Sequence, residues 1–305
     1  MITTKIYEEV IFQTVVRGST VIPPDVEAAF ESAIARETYA SAREGLQRTY
    51  DSLMLSKEIK RPACPDTGWP IFYFKLGNDC KLEGGLMGLE EAARRAVAKA
   101  TKLGFLRSTM KHPLTGYDPG NNIGMNIPDF SYKFVPGDGI EITYVAKGGG
   151  SECFGGTRHR VVAFADGVQG IKKFVLDCFQ ASSRAGAICP PSVLGIGIGG
   201  TANVAANLAK EAACLRTVGS HHPEAPFREI EESLCEALNM LKVGTMGAGG
   251  DTSVFAVNVE YAYTHIAGIA VATSSNCMVA RRASSRILAD RSVEEMISPD
   301  WFEGR

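Results

Sequence analysis

Three of the eight cysteines sit where irregular backbone would let a thiolate reach out of the fold. Cys64 lies in Ala63-Cys64-Pro65-Asp66-Thr67-Gly68. Cys189 lies in Cys189-Pro190-Pro191, and Cys277 ends Ser274-Ser275-Asn276-Cys277, shortly before Arg281-Arg282. Two are followed directly by proline, and each has turn formers or small residues nearby. Three thiolates far apart in sequence can hold a [4Fe–4S] cluster while one iron keeps no protein ligand. An open iron is a Lewis acid that can take a substrate hydroxyl or carboxylate. The alternative for each cysteine is a small buried hydrophobe. The cysteines form no CxxC pair and no Cys/His finger spacing, which disfavours a zinc or thioredoxin-type site.

Other residues could bind or move charge. Lys147-Gly148-Gly149-Gly150-Ser151 follows a strand-like run, and consecutive glycines let N–H groups converge on a carboxylate or phosphate. A flexible turn is the competing reading, and the phosphate-loop pattern G-x-x-x-x-G-K-[ST] is absent. Arg107 precedes a Lys-His-Pro loop, His221 and His222 precede Pro223, and His265 lies upstream of Cys277. Asp66, two residues after Cys64, would stay close to anything bound there and could transfer a proton. Gly195-Ile-Gly-Ile-Gly-Gly200 fits the dinucleotide fingerprint G-x-G-x-x-G, which would suit a nucleotide-dependent oxidoreductase. The acidic ribose partner expected ~20 residues later is missing, and close strand–helix packing explains the glycines as well.

These groups need a scaffold. The first 60 residues read as helices, with Val26, Ala29, Phe30 and Ile34 at helical spacing after Pro23-Pro24-Asp25. Residues 61–70 form a proline-bounded loop, 71–76 a strand and Leu86–Leu103 an amphipathic helix. Residues 112–128 are loop-like. Strands at Tyr132–Val135 and Ile140–Ala146 are joined by Pro136-Gly-Asp-Gly139. Helices follow at 169–184, about 201–215 and 227–241, and strands at 192–198, 253–263 and 266–273. The fold class is α/β or α+β: a helical N-terminal region, 1–60, then a mixed α/β region, 61–290, in a single domain spanning 1–305.

Composition removes several classes. Lys and Arg number 32 against 34 Asp and Glu, a net charge of −2, so bulk charge would not hold nucleic acid. The hydrophobic fraction of 45% suits a globular chain and argues against disorder. No run approaches ~18 apolar residues, so no membrane span is expected. The N-terminus shows no signal-peptide pattern, which points to a cytoplasmic protein with reduced thiols. Glycine, 32 of 305 residues, exceeds the usual ~7%.

Taken together, the segments RPACPDTG (61–68), LRSTMKHP (106–113), AKGGGS (146–151), CPPSVLGIGIGGT (189–201), VGSHHPEAPFREIE (218–231), THIAGIAVATSSNC (264–277) and ARRA (280–283) resemble one enzyme family. It is the class I, iron–sulfur fumarase and L(+)-tartrate dehydratase family, in its α subunit or the N-terminal half of its single-chain form.

The resemblance implies a [4Fe–4S] cluster on Cys64, Cys189 and Cys277, with one iron open to a 2-hydroxy dicarboxylate. Arg107 would pair with a substrate carboxylate through its planar fork. Lys147, Gly148, Gly149, Gly150 and Ser151 would hold another carboxylate, a glycine N–H donating to it. Asp66 would handle the proton on the leaving hydroxyl. His222 matches the family's active-site histidine, with His221 as its rival. Arg281 or Arg282 would neutralise thiolate charge. The activity implied is reversible hydration of a C4 dicarboxylate, first fumarate to malate; L(+)-tartrate dehydration and mesaconate hydration are the alternatives. The family's remaining base, a threonine, lies in a β subunit or C-terminal domain. The expectation is therefore a separate β subunit that completes the site, in an α2β2 heterotetramer.

Overall fold

The computed structural model describes residues 1–153, 157–186 and 188–303. The chain divides into two compact units. The first comprises Met1–Pro23, Ser52–Lys147 and Arg281–Arg305; the second comprises Pro24–Asp51 and Gly148–Ala280. Each contains one mixed sheet with helices, so the fold is mixed α/β as the sequence implies.

The first unit is built on a five-stranded sheet in the order β2-β1-β3-β8-β9. These strands are β1 (Trp69–Gly77), β2 (Asp129–Val135), β3 (Ile140–Lys147), β8 (Arg282–Ile287) and β9 (Val293–Met296). The turn at 136–139 joins β2 to β3, yet the two do not pair. β1 lies between them, parallel to β2 and antiparallel to β3. Helices α1 (Thr4–Thr20) and α4 (Gly85–Lys102) pack on each other, and α1 also packs on β3 and β8. In α4 the buried residues Leu89, Ala92, Ala93, Ala96, Val97 and Ala100 recur every three or four positions. They join Phe72, Phe74, Ile142 and Tyr144 in one core. Small residues let the helix and sheet backbones come close. At Gly18 of α1, a β-carbon would sit 2.8 Å from the Tyr144 ring.

The second unit has a four-stranded sheet, β4-β7-β5-β6: β4 (Arg158–Val162), β5 (Ser192–Ile198), β6 (Val254–Tyr261) and β7 (Ile269–Asn276). The β5 sequence explains its two faces. Leu194, Ile196 and Ile198 point to a core shared with α6 (Gly167–Arg184) and α8 (Ala225–Met240). Gly195 and Gly197 point the other way, toward α7 (Ala202–Leu215). A β-carbon on Gly195 would lie 2.0 Å from the Ala209 carbonyl oxygen, and one on Gly197 1.9 Å from that of Ala205. Glycine is thus required there for backbone contact, which the packing reading of GIGIGG anticipates. The N–H groups of Gly199 and Gly200 donate to the Ala270 and Tyr263 carbonyls, so neither points at a dinucleotide phosphate.

Several elements differ from the sequence expectation. The glycine run at 148–151 turns into a short helix, α5 (Gly149–Cys153). β7 begins three residues later than expected and continues through Ser274-Ser275-Asn276, because a tight loop occupies the preceding residues. In that loop Thr264 Oγ1 donates to the Gly268 carbonyl and Ala267 N–H to His265 Nδ1. Strands β4, β8 and β9 have no clear alternation, and the sequence pattern does not predict them. Among the described residues, no helix is long and apolar enough to cross a membrane.

Candidate active site

In the first unit the expected residues Asp66 and Arg107 are brought together by Thr67. The buried Thr67 hydroxyl accepts the Arg107 N–H at 3.0 Å and donates to the Arg107 carbonyl at 3.2 Å. Asn122 adds a second clamp. Its Nδ2 donates to the Arg107 carbonyl at 2.9 Å, and its Oδ1 accepts the N–H groups of Thr109 and Met110. Asn122 has φ +60°, in the left-handed region that asparagine tolerates. The backbone of Arg107 is therefore fixed while its side chain stands exposed. That suits an arginine that must meet a carboxylate from solvent.

Asp66 is set by a turn. Its Oδ1 accepts the Gly68 N–H at 3.0 Å, which aims the carboxyl. Gly68 has φ +74°, and a β-carbon there would lie 2.3 Å from the Lys147 carbonyl oxygen. Only glycine lets the 61–68 loop press against the end of β3. Beneath that loop lies Arg281, 1% exposed. Its Nη2 donates to the Asp66 carbonyl at 2.7 Å and to the Ala146 carbonyl at 3.4 Å. Its Nε and Nη1 are buried and have no hydrogen-bond partner among the described residues. A buried guanidinium held this way favours negative charge nearby, and Cys64 lies two residues from Asp66. Lys147, fully buried, ends β3.

In the second unit, β-sheet register brings Cys189 and Cys277 into neighbouring segments. β5 and β7 are antiparallel, with Val193 opposite Asn276. The residues before β5 and after β7 therefore emerge side by side. The Met278 N–H donates to the Cys189 carbonyl at 2.9 Å and closes the pair. Cys189 is exposed and Cys277 buried. Gly148, Gly149, Gly150 and Ser151 lead into and form the start of α5, where Glu152 N–H returns to the Gly148 carbonyl.

The two histidines differ. His222 is buried against Phe227 and Tyr261, and its Nδ1 accepts the Glu224 N–H at 3.1 Å. An accepting Nδ1 puts the ring proton on Nε2. His221 is exposed, with Nδ1 3.9 Å from Glu231. Glu231 organises this segment from within. It is buried, accepts the N–H groups of His222 and Val259, and lies 3.5 Å from Arg216.

Thr67, Asn122, Arg216, Glu231 and the Asp66 contact of Arg281 were missed in the sequence. None belongs to a spacing rule that pattern reading could use. Within each unit, and among the described residues, no group of three or more His, Cys, Asp or Glu is gathered as a metal site. The three candidate cysteines are divided, one in the first unit and two in the second. As a donor set they fit an iron–sulfur cluster: all three are thiols outside any disulfide, and sulfur is its normal protein ligand. Of the other five cysteines, Cys214 is buried, Cys80, Cys178 and Cys235 are half-buried, and Cys153 is exposed. Burial raises the pKa of the Cys80, Cys178 and Cys235 thiols, which keeps them protonated at neutral pH.

Comparison with known proteins shows the family of the chain. The family model described as fumarate hydratase (Fumerase) matches residues 8–286. A Methanocaldococcus jannaschii protein provisionally named L(+)-tartrate dehydratase subunit alpha is 36% identical over 271 residues, covering 88% of this chain and 93% of that protein. L(+)-tartrate dehydratase subunit alpha of Escherichia coli strain UTI89 is 33% identical over 279 residues, covering 91% of this chain and 89% of that protein. The strain K12 protein of the same name is 32% identical over the same length.

Proposed function

We propose, from the premise that this chain belongs to the fumarate hydratase (Fumerase) family, that it is the α subunit of a hydro-lyase acting on a C4 dicarboxylate. Fumarate hydration to malate is the first reading, taken as the commoner role in the family. L(+)-tartrate dehydration is the second reading, favoured by the names of the relatives. The observation that carries the proposal is the pair of hydrogen bonds from Thr67, next to Asp66, to the backbone of Arg107, which joins the segment bearing the carboxyl to the segment bearing the guanidinium.

Cys64, Cys189 and Cys277 would hold a [4Fe–4S] cluster, and Arg281 would offset part of its negative charge. When bound, such a cluster supplies Lewis acidity toward a substrate hydroxyl, worth several kcal/mol of charge stabilisation. The chain's own residues do the rest. Arg107 pairs with a substrate carboxylate. Lys147 and the Gly148–Ser151 run hold the other carboxylate, and fixing both ends limits the substrate's motion. Asp66 gives a proton to the departing hydroxyl and takes it back from water in the reverse direction. His222, fixed through Glu224 and Glu231, supports the substrate with its Nε2–H.

A companion β subunit would bring the base for the C3 proton, in an α2β2 assembly. The relatives' names as α subunits support a companion chain. A cytoplasmic location suits an oxygen-sensitive cluster and eight cysteines outside disulfides.

The test is an anaerobic assay of the reconstituted chain with the product of the neighbouring gene, on fumarate, L(+)-tartrate and mesaconate. Turnover of one by the pair, and not by this chain alone, is expected. Full activity from the single chain would refute the two-subunit reading. No turnover of any C4 dicarboxylate by an iron-loaded pair would refute the activity.

A further inference from the structure

A buried carboxylate far from every motif has an unusual set of partners. Glu37 follows α2 (Pro24–Arg36) and is 2% exposed. Its two oxygens receive three backbone N–H groups. Asp251 N–H is 2.9 Å from both, Thr252 N–H is 3.2 Å from Oε2 and Tyr39 N–H is 3.1 Å from Oε1. The clasp is reciprocal, since Asp251 Oδ2 accepts the N–H and the hydroxyl of Thr38. Lys242 donates to Asp251 Oδ1.

What this clasp holds is the glycine-rich loop 244–250. Gly250, at φ +142°, passes so near that a β-carbon would lie 3.1 Å from Glu37 Oε2 and 2.8 Å from the Ala42 methyl. Gly244 and Gly249 touch backbone to backbone, so the loop is a tight knot rather than a free span. Its amides are largely committed internally. Gly247, Ala248 and Gly249 donate to the carbonyls of Gly244, Thr245 and Val243. Two amides point outward from the knot: the Gly244 N–H donates to Ser253 Oγ at 3.2 Å, and the Met246 N–H donates to the Pro190 carbonyl at 2.9 Å. Met246 itself sits at φ +54°, a conformation that nothing local favours. The Cys189-Pro190 segment is therefore held from two sides, by Met278 on Cys189 and by Met246 on Pro190.

We propose that Glu37 is a positioning residue for Cys189, acting through the 244–250 loop and the Met246–Pro190 bond. This rests on the reading of Cys189 as a cluster ligand. Cys189 is exposed and precedes a strand, so its backbone needs an outside support to stay in one place. Carboxylate is the right group at 37 because it only accepts hydrogen bonds. An amide there would turn an NH2 toward the N–H donors of Asp251 and Thr252.

The experiment compares the full chain with Glu37→Gln, Glu37→Asp and a core control in the same unit, Val175→Ala. Without iron, amide hydrogen exchange at Met246 should speed up about tenfold in Glu37→Gln, the scale of one lost charge-assisted bond. Glu37→Asp, which keeps the charge one methylene short, should fall between Gln and wild type, and Val175→Ala should leave Met246 unchanged at a similar drop in Tm. After anaerobic reconstitution, the absorbance near ~400 nm should bleach several-fold faster in air for Glu37→Gln than for Val175→Ala. Exchange and bleaching that follow Tm alike in all variants would overturn the proposal. A wild-type chain that takes up no iron would instead sink the ligand reading. The exchange at Met246 would still decide whether Glu37 controls the Cys189 segment.

Discussion

The Asp66–Arg107 segment of the first unit and the Cys189–Cys277 segment of the second are held by different forces. In the first, side chains reach to backbone: Thr67 and Asn122 grip Arg107, and the Arg281 guanidinium grips Asp66. In the second, backbone grips backbone: β5–β7 register, Met278 on Cys189 and Met246 on Pro190. The first arrangement aims polar groups and can be altered one side chain at a time. The second sets the place of two thiols through the sheet and a backbone loop, so a side chain such as Glu37 acts there only by way of backbone.

The contrast can be broken in four ways, taken from the largest effect to the smallest. Cys64→Ser, Cys189→Ser and Cys277→Ser should each abolish activity and lower bound iron, whereas serine at 80, 153, 178, 214 or 235 should be mild. Equal losses in both sets, by iron analysis and anaerobic assay, would remove the ligand assignment.

Gly197→Ala tests the backbone-held unit. Its new methyl would meet the Ala205 carbonyl at 1.9 Å, so α7 must move off β5, at a cost of about 3 kcal/mol. A thermal melt with an unchanged midpoint would show that the contact yields freely.

Asn122→Ala tests the side-chain-held unit. It removes the bonds to Arg107, Thr109 and Met110 and leaves alanine at positive φ, for about 2 kcal/mol of stability. The KM for the dicarboxylate should rise more than kcat falls if, as proposed, Arg107 binds the substrate and does not react. A fall in kcat alone would reassign Arg107.

The smallest effect is in pH, and its sign differs between the units. In the second, hydrogen bonds from Lys242 and Thr38 hold the Asp251 carboxyl well below the usual carboxylate range. Its contribution to stability is complete above the unfolded pKa and is lost as pH falls through the lower, folded one. In the first, burial raises the pKa of Glu141 above the ordinary value. Its ionised form costs stability, and that cost fades as pH falls through the raised pKa toward the unfolded value. Asp251→Asn should therefore flatten the acid limb of the stability curve, and Glu141→Gln should flatten the region just above it. Urea midpoints measured across pH would check both, and the same slope change in the two variants would refute the difference.

Much of the scaffold was legible in the chain because its signals are local. The α4 stripe and the Leu/Ile–Gly alternation of β5 follow from helical and strand periods. Strand β8 was not legible. Its residues, Arg-Ala-Ser-Ser-Arg-Ile, are buried apart from the half-buried Arg286, and Thr14 and Thr143 supply hydroxyl partners to Ser285 and Ser284. A strand whose buried face is polar carries no hydrophobic alternation to read. The short helix α5 was hidden too, since glycines signal a turn as readily as a helix start. At the candidate site, the residue types were visible and their supports were not.

By itself the sequence determined the residue types that could do chemistry, the order of the segments carrying the family likeness, and the glycines at 195 and 197. Those depend on spacing along the chain, which a local period or a fixed motif preserves. Only the tertiary structure decided that Arg281 lies on the Asp66 carbonyl, that Thr67 and Asn122 clamp Arg107, that His222 is the buried histidine, and that Glu37 grips the loop reaching Pro190. Apart from the burial of His222, each of these joins positions far apart in sequence through hydrogen bonds to backbone. Any residue offers those backbone groups, so the choice of partner is left to packing and leaves no mark in the residue pattern.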